Sequence, residues 1–449
     1  MPKADPVRRL AWEVMRAVET RDAYVNLALP GMIADAKLEG RDAAFATELT
    51  HGTIRRQGTY DAILETVTSK GLGAVDPPVR DVLRLGTHQL LTLRTPSHAA
   101  VSTSVDLVRE QVGHKPASFV NAVLRKVSRN DLATWIQRVA PSRDEDLLGH
   151  LAVVHSHPAW IVGALEEALD GDIEALERLL ESDNAAPRVT LATRSGLTDA
   201  DRAELDTAGA TPGKLSPYAF ELPSGMPGGL TAVRDGRVGV QDEGSQLVAI
   251  ATAAAPVEGA DAAWLDMCAG PGGKAALLGA IGRERMADVT ANELQPHRAE
   301  LVRKTVRGLA NVTVTTGDGR QPEWSAGSFD RVLVDAPCTG LGALRRRPEA
   351  RWRRTEASLD ELTALQHDLL DSALDSARVG GVVTYATCSP HVRETREVVE
   401  AIMRQRDDVE PLDATRLLPQ VTDVSGPYVQ LWPHVHGTDA MFVAVLRRR

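Results

Sequence analysis

The stretch LDMCAGPGGKAALL, residues 265–278, decides the fold of the C-terminal half of the chain. A short apolar run ends at Asp266, a glycine-rich turn follows, and an apolar segment with helical spacing comes next. Gly270, Gly272 and Gly273 let the backbone approach a ligand closely. A helix that begins here also offers free N–H groups to an anionic group. The spacing matches neither G-x-G-x-x-G nor a P-loop. We therefore predict a ligand-binding turn, with a tight turn that binds nothing as the alternative.

Outward from this turn, short apolar runs alternate with helical stretches from about residue 240 onward. The helical stretch 358–377 places leucines and alanines at spacings of three and four residues, as an amphipathic helix does. Strands that alternate with helices predict a doubly wound, mostly parallel sheet. Ligands bind such sheets at the carboxyl ends of the strands. The apolar runs lie at 262–269, 286–293, 312–318, 330–337, 380–389 and 440–448.

The N-terminal part has a different pattern. Residues 6–130 form a series of helical segments, and the first of them has Val7, Leu10, Val14 and Val18 on one face. We predict a multidomain chain with a compact all-α bundle followed by an α/β Rossmann-like domain. The predicted segments are an all-α domain over 1–138, a linker with a small α/β subdomain over 139–235, and a catalytic domain over 236–449.

Composition limits the class of protein. Of the 449 residues, 43% are hydrophobic and 25% charged, as in soluble globular proteins. No apolar run is long enough for a membrane helix, and the N-terminus lacks an apolar signal core. We therefore expect a cytoplasmic protein without a membrane partner. The three cysteines, an odd number, argue against a disulfide framework.

Charge is distributed unevenly along the chain. The net charge of −10 argues against a polyanionic partner, yet residues 1–140 hold 19 Lys and Arg against 15 Asp and Glu. A basic module in an acidic protein points weakly to nucleic-acid binding. The alternative is that a charge difference of this size has no functional meaning.

Acidic residues stand where three of the predicted strands end. Glu293 lies 20 residues after Gly273, a distance suited to binding ribose hydroxyls. Asp318 ends the third strand and could face an adenine, although an Asp that only forms a turn explains it nearly as well. Asp335 directly follows a buried strand and is expected in the cleft. A solvated surface group is the alternative for Glu293.

All three cysteines also fall at predicted strand ends: Cys268, Cys338 and Cys388. A cysteine is often simply a small buried apolar residue, and we prefer that interpretation for Cys268. Zinc is the other alternative, but the chain has no C-x-x-C pair, and no histidine accompanies the three cysteines. No metal site is predicted.

The arginine-rich segment, LRRRPEARWRR at 344–354, carries six arginines, one proline and one tryptophan. A run of charge is usually a solvated face. This run comes shortly after Cys338 and includes an aromatic ring, which favours phosphate contact together with base stacking. The RNA-binding residues predicted from it are Arg345, Arg346, Arg347, Arg351 and Trp352.

Five motifs in order, DMCAGPGGK, DAPCTGLG, RRRPEARWRR, YATCSP and HGTDAMF, make residues 240–449 resemble the RNA cytosine-C5 methyltransferases. FVNAVLRK at 119–126 resembles the NusB-like RNA-binding domain. The pairing of these two domains is that of bacterial 16S rRNA cytosine-C5 methyltransferases. The resemblance thus covers nearly the whole chain.

The resemblance implies a set of roles. The cofactor would be S-adenosylmethionine, and the substrate a cytosine in 16S rRNA, unstacked to reach the site. Cys388 would add to C6 of the base, and Cys338 would assist product release. DNA cytosine methyltransferases use the cysteine of the P-C motif as nucleophile, so the presence of both cysteines implies RNA. The cofactor-binding residues implied are Cys268, Ala269, Gly270, Pro271, Gly272, Gly273, Lys274, Glu293, Asp318 and Asp335.

Two further residues would support the chemistry. An active thiolate needs a cationic neighbour, and Lys274, one of only eight lysines, is the candidate. Asp335 could hydrogen-bond the N4 amine or the N3 edge of the cytosine. We expect a monomer.

The sequence departs from the family pattern at three places. Ala275 stands where Thr is usual, Arg393-Glu394-Thr395 stands for Glu-Glu-Asn, and Ala440-Met441 stands for Gly-Phe. None of these removes a catalytic group. A non-catalytic RNA-binding ribosome-assembly factor is the alternative function, and a methyltransferase acting on a small molecule or a protein is a third.

Overall fold

The computed structural model describes residues 4–21, 23–93, 95–194, 197–223 and 227–449. The chain divides into two compact units, Met1–Ala185 with Leu344–Arg354, and Ala186–Ala343 with Thr355–Arg449. The first is helical and the second is mixed α/β, which confirms the predicted fold class. The boundary between the two units falls at residue 185, and the helices of residues 147–184 belong to the helical unit; the domain boundaries at 138 and 235 stay a prediction.

The helices of the described residues are α1 (Pro6–Thr20), α2 (Val25–Asp35), α3 (Gly40–Arg55), α4 (Gln57–Val67), α5 (Pro77–Leu91), α6 (Ser97–Gln111), α7 (Ala117–Val127), α8 (Leu132–Val139), α9 (Leu147–His155), α10 (Ala159–Ala168), α11 (Ile173–Asn184), α12 (Asp199–Thr207), α13 (Thr231–Arg234), α14 (Glu243–Ala254), α15 (Gly273–Glu284), α16 (Pro296–Thr305), α17 (Ala350–Arg353), α18 (Ser358–Ser376), α19 (Arg396–Gln405) and α20 (Pro433–His436). Within those residues, no helix has the length and apolar character needed to cross a membrane.

The strands are β1 (Val189–Thr193), β2 (Thr211–Pro212), β3 (Ala219–Leu222), β4 (Val238–Val240), β5 (Ala263–Asp266), β6 (Asp288–Glu293), β7 (Val312–Thr316), β8 (Phe329–Asp335), β9 (Ala377–Thr387), β10 (Val409–Leu412), β11 (Val429–Gln430) and β12 (Phe442–Arg448).

The helical unit forms around one apolar core. Helix α1 begins with Pro6 after Asp5, whose side chain accepts a hydrogen bond from the backbone N–H of Arg8 at 3.0 Å. Val7, Leu10 and Val14 of this helix are buried in the core, on the face that the sequence predicted. In the same unit, Tyr60 and His88 join α4 to α5 through a buried hydrogen bond of 2.8 Å.

The main sheet of the α/β unit has the strand order β10-β12-β9-β8-β5-β6-β7, with β11 paired to β12. The strands from β9 to β7 run parallel, whereas β12 is antiparallel to β9. Adjacent residues of β5 enter opposite faces: Trp264 packs with α14 and α15, and Leu265 packs with α18 and α19. The strand order reverses between β5 and β8, so a ligand site is expected at the carboxyl ends of these strands.

A smaller antiparallel sheet of order β2-β3-β1-β4 precedes the main sheet. It buries Leu191 and Leu222 against Leu205 of α12. This sheet and α12 belong to the α/β unit, and the small subdomain over 139–235 stays a prediction.

Candidate active site

The glycine-rich turn between β5 and α15 is closed by the acid that ends β6. The backbone N–H of Gly270 donates to Glu293 Oε2 at 3.0 Å. A Cβ at Gly270 would lie 2.1 Å from that oxygen, so no side chain fits there. Gly272 has a φ of +107°, in the region that favours glycine. Gly270 and Gly272 are therefore the two positions at which this turn requires glycine.

Glu293 is buried and lies at the carboxyl end of β6, where the sequence placed it. Its second oxygen accepts from the backbone N–H of Gln295 at 3.0 Å, and Arg298 Nη2 lies 3.6 Å from Oε2. Asp318 lies in the turn after β7 and is paired with Arg320 at 2.6 Å; this hydrogen bond lowers the pKa of Asp318. Both the turn-forming and the ligand-binding interpretations of Asp318 therefore stay open.

Lys274 is the second residue of α15 and connects three elements. Its Nζ donates to Asp335 Oδ2 at the end of β8 at 2.7 Å and to Ser245 Oγ of α14 at 2.8 Å. Burial alone would lower the pKa of Lys274, but the Asp335 carboxylate outweighs it and the pKa is raised. Lys274 is therefore cationic. Its ammonium also interacts electrostatically with Cys388.

The structure brings two of the three cysteines together. Asp335 of β8 is level with Ala386 of β9, so the residues that follow these strands meet at one edge. Cys338 Sγ lies 3.4 Å from Cys388 Sγ. The hydrogen bond to Cys388, followed by burial, raises the pKa of Cys338 well above its usual range. Cys338 therefore stays a thiol, and its S–H can donate a hydrogen bond to the Cys388 sulfur.

Cys268 lies in the turn after β5. Burial, and then the neighbouring Asp266, raises the pKa of this thiol. None of the three cysteines forms a disulfide. Cys268 is half-buried and packs against the apolar core on one face of the sheet, and its apolar role stays a prediction.

Glu394 connects the loop that carries Cys338 with the loop that carries Cys388. In the sequence it stood out only as part of Arg393-Glu394-Thr395, which differs from the family pattern. It is fully buried, its Oε1 accepts from the backbone N–H of Thr339 at 2.8 Å, and its Oε2 accepts from the Thr339 hydroxyl. Gln366 of α18 donates to Glu394 Oε1 at 3.0 Å and to the Pro337 carbonyl at 2.8 Å. The available signal was an acid six residues after Cys388, where the family pattern also has one.

Two buried polar side chains beside the turn have atoms without a hydrogen-bond partner among the described residues. They are both carboxylate oxygens of Asp266, which lie near the backbone N–H of Cys268 but outside hydrogen-bond geometry, and both amide atoms of Gln241. Burial, and then repulsion from Asp335, raises the pKa of Asp266 to about 7. The Gln241 amide lies against Gly273, where a Cβ would come within 3.4 Å of it. Such atoms require a partner.

These atoms fit S-adenosylmethionine. Its methionine part carries an ammonium, which would supply donors to Asp266, and a carboxylate, which would accept from Gln241 and from the start of α15. Asp266 was read from the sequence only as the end of a strand. What identifies it as a candidate cofactor residue is its burial without a partner, which the sequence does not reveal.

The arginine-rich segment belongs to the helical unit, and two of its arginines are buried there. Arg351 is 0% exposed, and its guanidinium donates to the carbonyls of Arg55, Ser156 and Asp183 and to Asn184 Oδ1 at 2.8–3.1 Å. Arg345 is also buried. This burial contradicts the prediction of RNA contact for Arg351 and Arg345, because an enclosed guanidinium cannot meet a phosphate.

The other residues predicted from this segment are half-buried: Arg346, Arg347 and Trp352. Arg347 lies over the ring of Tyr24, with 4.9 Å between its guanidinium carbon and the ring centroid. For these three residues RNA contact stays a prediction.

Replacement of Gly270 by alanine is expected to weaken S-adenosylmethionine binding by about tenfold or more. The added methyl would collide with Glu293 Oε2 and displace the turn. Isothermal titration calorimetry with the full chain measures this. Gly228→Ala is the control, because a Cβ there meets nothing within 4 Å. Equal affinity of wild type and Gly270→Ala would contradict the proposed placement of the cofactor.

Comparison with family models matches residues 251–447 to "16S rRNA methyltransferase RsmB/F" and residues 5–129 to "NusB family". The chain is 51% identical over 446 residues to "Putative methyltransferase Rv1407" of Mycobacterium tuberculosis, covering 99% of this chain and 97% of that one. It is 32% identical to "Probable ribosomal RNA small subunit methyltransferase B" of Bacillus subtilis, covering 100% of both.

Among solved structures, the crystal structure of PH0851 has a similar fold. Its TM-score is 0.82 with 20% sequence identity, and the match covers 100% of both chains. At this identity the likeness concerns the fold alone.

Proposed function

Because the chain belongs to the RsmB/F family of S-adenosylmethionine-dependent methyltransferases, we propose that it methylates C5 of a cytosine in 16S rRNA. The observation that carries the proposal is the pair of thiols, 3.4 Å apart, at the sheet edge where Lys274 binds Asp335. The relative from Bacillus subtilis is named for the small-subunit ribosomal RNA, and the NusB-family match supports an RNA substrate.

Cys388 is the proposed nucleophile. Its thiolate adds to C6 of the cytosine, forming an S–C6 bond and pushing electrons toward C5. S-adenosylmethionine would supply the electrophilic methyl group that C5 takes, with cleavage of the methyl–sulfur bond and release of S-adenosylhomocysteine. A base then removes the C5 proton, and the returning electron pair expels the Cys388 thiolate and restores the aromatic ring.

Two neighbours favour the thiolate of Cys388. At neutral pH an unperturbed cysteine is mostly protonated. The Lys274 ammonium stabilises a negative sulfur, and the thiol of Cys338 can donate a hydrogen bond to it. When the S–C6 bond breaks, the same donor stabilises the departing thiolate, which gives Cys338 its role in product release.

Asp335 is the proposed partner of the base edge. Lys274 bonds to its Oδ2, which leaves Oδ1 to accept from the N4 amine of the cytosine. The adjacent ammonium can balance charge that develops on the ring after thiolate addition. Glu394 is a positioning residue, because it fixes the backbone on the C-terminal side of Cys338.

Methyl transfer from labelled S-adenosylmethionine tests the proposal. The substrates are unmodified 16S rRNA and partly assembled small subunits, and the product is mapped for 5-methylcytosine. We expect label at C5 of cytosine in one of them. Absence of transfer to either substrate would overturn the proposal; retained RNA binding in that case would favour the assembly-factor alternative.

A further inference from the structure

The helical unit contains a cavity that the proposed chemistry does not use. Its volume is about 250 Å³, below the usual range for drug-sized ligands and suited to a single heterocycle. Met15, Val18 and Ile54 provide an apolar wall. Glu349 and Trp352 of the arginine-rich segment line it as well. Every lining residue belongs to the helical unit.

Three polar atoms of the residues that line this cavity are buried without a hydrogen-bond partner among the described residues. They are Glu349 Oε2, Trp352 Nε1 and Arg80 Nε. Glu349 is 2% exposed, and only its other oxygen is used, accepting from the backbone N–H of Val25 at 3.1 Å. Buried polar atoms are nearly always paired, so these three point to a ligand that supplies the partners.

The charges around the cavity argue against an anionic ligand. Asp81 is paired with Arg16 at 3.0 Å and with Arg84 at 3.2 Å, and Arg80 Nη2 is paired with Glu19 at 2.8 Å. Arg16, Arg80 and Arg84 are therefore already matched, and Arg353, which also lines the cavity, donates to the carbonyls of Val18 and Ala23. The Glu349 carboxylate would also repel a phosphate. What remains open is the Glu349 carboxylate, with Oε2 and a second lone pair on Oε1, together with two donors and apolar surface, which matches an uncharged heterocycle.

We propose that this cavity binds an unstacked guanine base of the RNA substrate. The inference rests on the proposed function only in taking the substrate to be RNA. Guanine has adjacent N1–H and N2–H donors for Glu349, and its O6 and N7 accept from Arg80 and Trp352. Adenine lacks that pair of adjacent donors, and cytosine and uracil lack a ring acceptor equivalent to N7. Sequence-specific RNA recognition commonly uses such splayed bases.

The position of the cavity in the chain gives this base a function. The arginine-rich segment begins six residues after Cys338, so two groups of the proposed base site are covalently continuous with a catalytic loop. Binding a guanine there would fix one position of the RNA strand while the target cytosine is engaged.

The test is nucleoside binding to the full chain, measured by saturation-transfer NMR with guanosine, adenosine, cytidine and uridine. Guanosine is expected to bind about tenfold tighter than the others. Glu349→Gln should weaken guanosine binding by about tenfold, because the substitution removes the carboxylate charge and replaces one acceptor oxygen by an NH₂ donor. Its carbonyl oxygen can still accept from Val25, which preserves the fold. Trp352→Phe, which removes only the Nε1 donor and keeps a ring, is the second variant.

Glu174→Gln is the matched control, because Glu174 lies exposed on α11 of the same unit, paired only with Arg178 in a surface ion pair. Wild-type methyl transfer is measured in parallel. This inference is overturned if guanosine binds no tighter than the other nucleosides, or if neither Glu349→Gln nor Trp352→Phe weakens its binding. Either result overturns it even when methyl transfer occurs. Guanosine selectivity that both variants weaken supports it, and failure of methyl transfer would then concern the proposed function alone.

Discussion

Replacement of Cys388 by alanine is expected to lower methyl transfer to 16S rRNA by a factor on the order of 10⁴ or more. Without the sulfur, C6 receives no nucleophile and C5 stays too electron-poor to take the methyl group. The rest of the site has no substitute, because Cys338 is held as a protonated thiol by its hydrogen bond and by burial. Single-turnover transfer of labelled methyl with saturating cofactor measures this loss.

Cys268→Ala is the comparison variant for the loss of a thiol, and its cofactor affinity is measured as well, because the resemblance implies that Cys268 contacts the cofactor. This cysteine lies in the turn after β5, and its raised pKa keeps it from acting as a thiolate. We expect the control to retain activity within about tenfold of wild type. Cofactor affinity of Cys388→Ala, measured by calorimetry, should equal that of wild type. Retention of a tenth or more of the activity by Cys388→Ala would contradict the assignment of the nucleophile.

The second large effect concerns stability. Arg351→Met is expected to destabilise the helical unit by about 3 kcal/mol. The methionine fills part of the volume but leaves the carbonyls of Arg55, Ser156 and Asp183 and the Asn184 side chain without their donor. The loss is partly offset, because burying the guanidinium is itself costly: burial lowers the pKa of Arg351 to about 9.

Hydrogen exchange in α3 and α11, the helices that end at Arg55 and Asn184, measures this change within the full chain. Arg178→Met is the control, since Arg178 is exposed and paired with Glu174 only four residues away on α11. We expect that variant to stay within about 0.5 kcal/mol of wild type. An Arg351→Met protein with unchanged protection would show that the buried hydrogen bonds contribute little to the unit.

Much of the site could be predicted because its residues stand at strand ends. Buried strands have strong local patterns, and the carboxyl ends of neighbouring parallel strands must meet at one edge. For this reason the sequence predicts that Asp335, Cys338 and Cys388 lie near one another. Lys274 and Glu293 followed from the same rule, applied to the turn after β5 and to the end of β6.

The arginine-rich segment could not be predicted in the same way. Its charge and its closeness to Cys338 in the chain favoured a surface that contacts RNA. Sequence patterns do not reveal that the chain enters the helical unit here, where Arg351 meets carbonyls from residues as distant as Arg55. Glu394 was missed for a similar reason, because its partner Thr339 lies 55 residues away. Long-range hydrogen bonds leave no local periodicity.

The measurement that tests the central claim most directly is a denaturing-gel assay of Cys338→Ala with 16S rRNA and S-adenosylmethionine. If Cys388 adds to C6 and Cys338 assists its release, this variant accumulates a protein–RNA adduct that survives SDS, and the double variant with Cys388→Ala accumulates none. An adduct that forms with Cys388→Ala alone would contradict the account, since the nucleophile would then be Cys338.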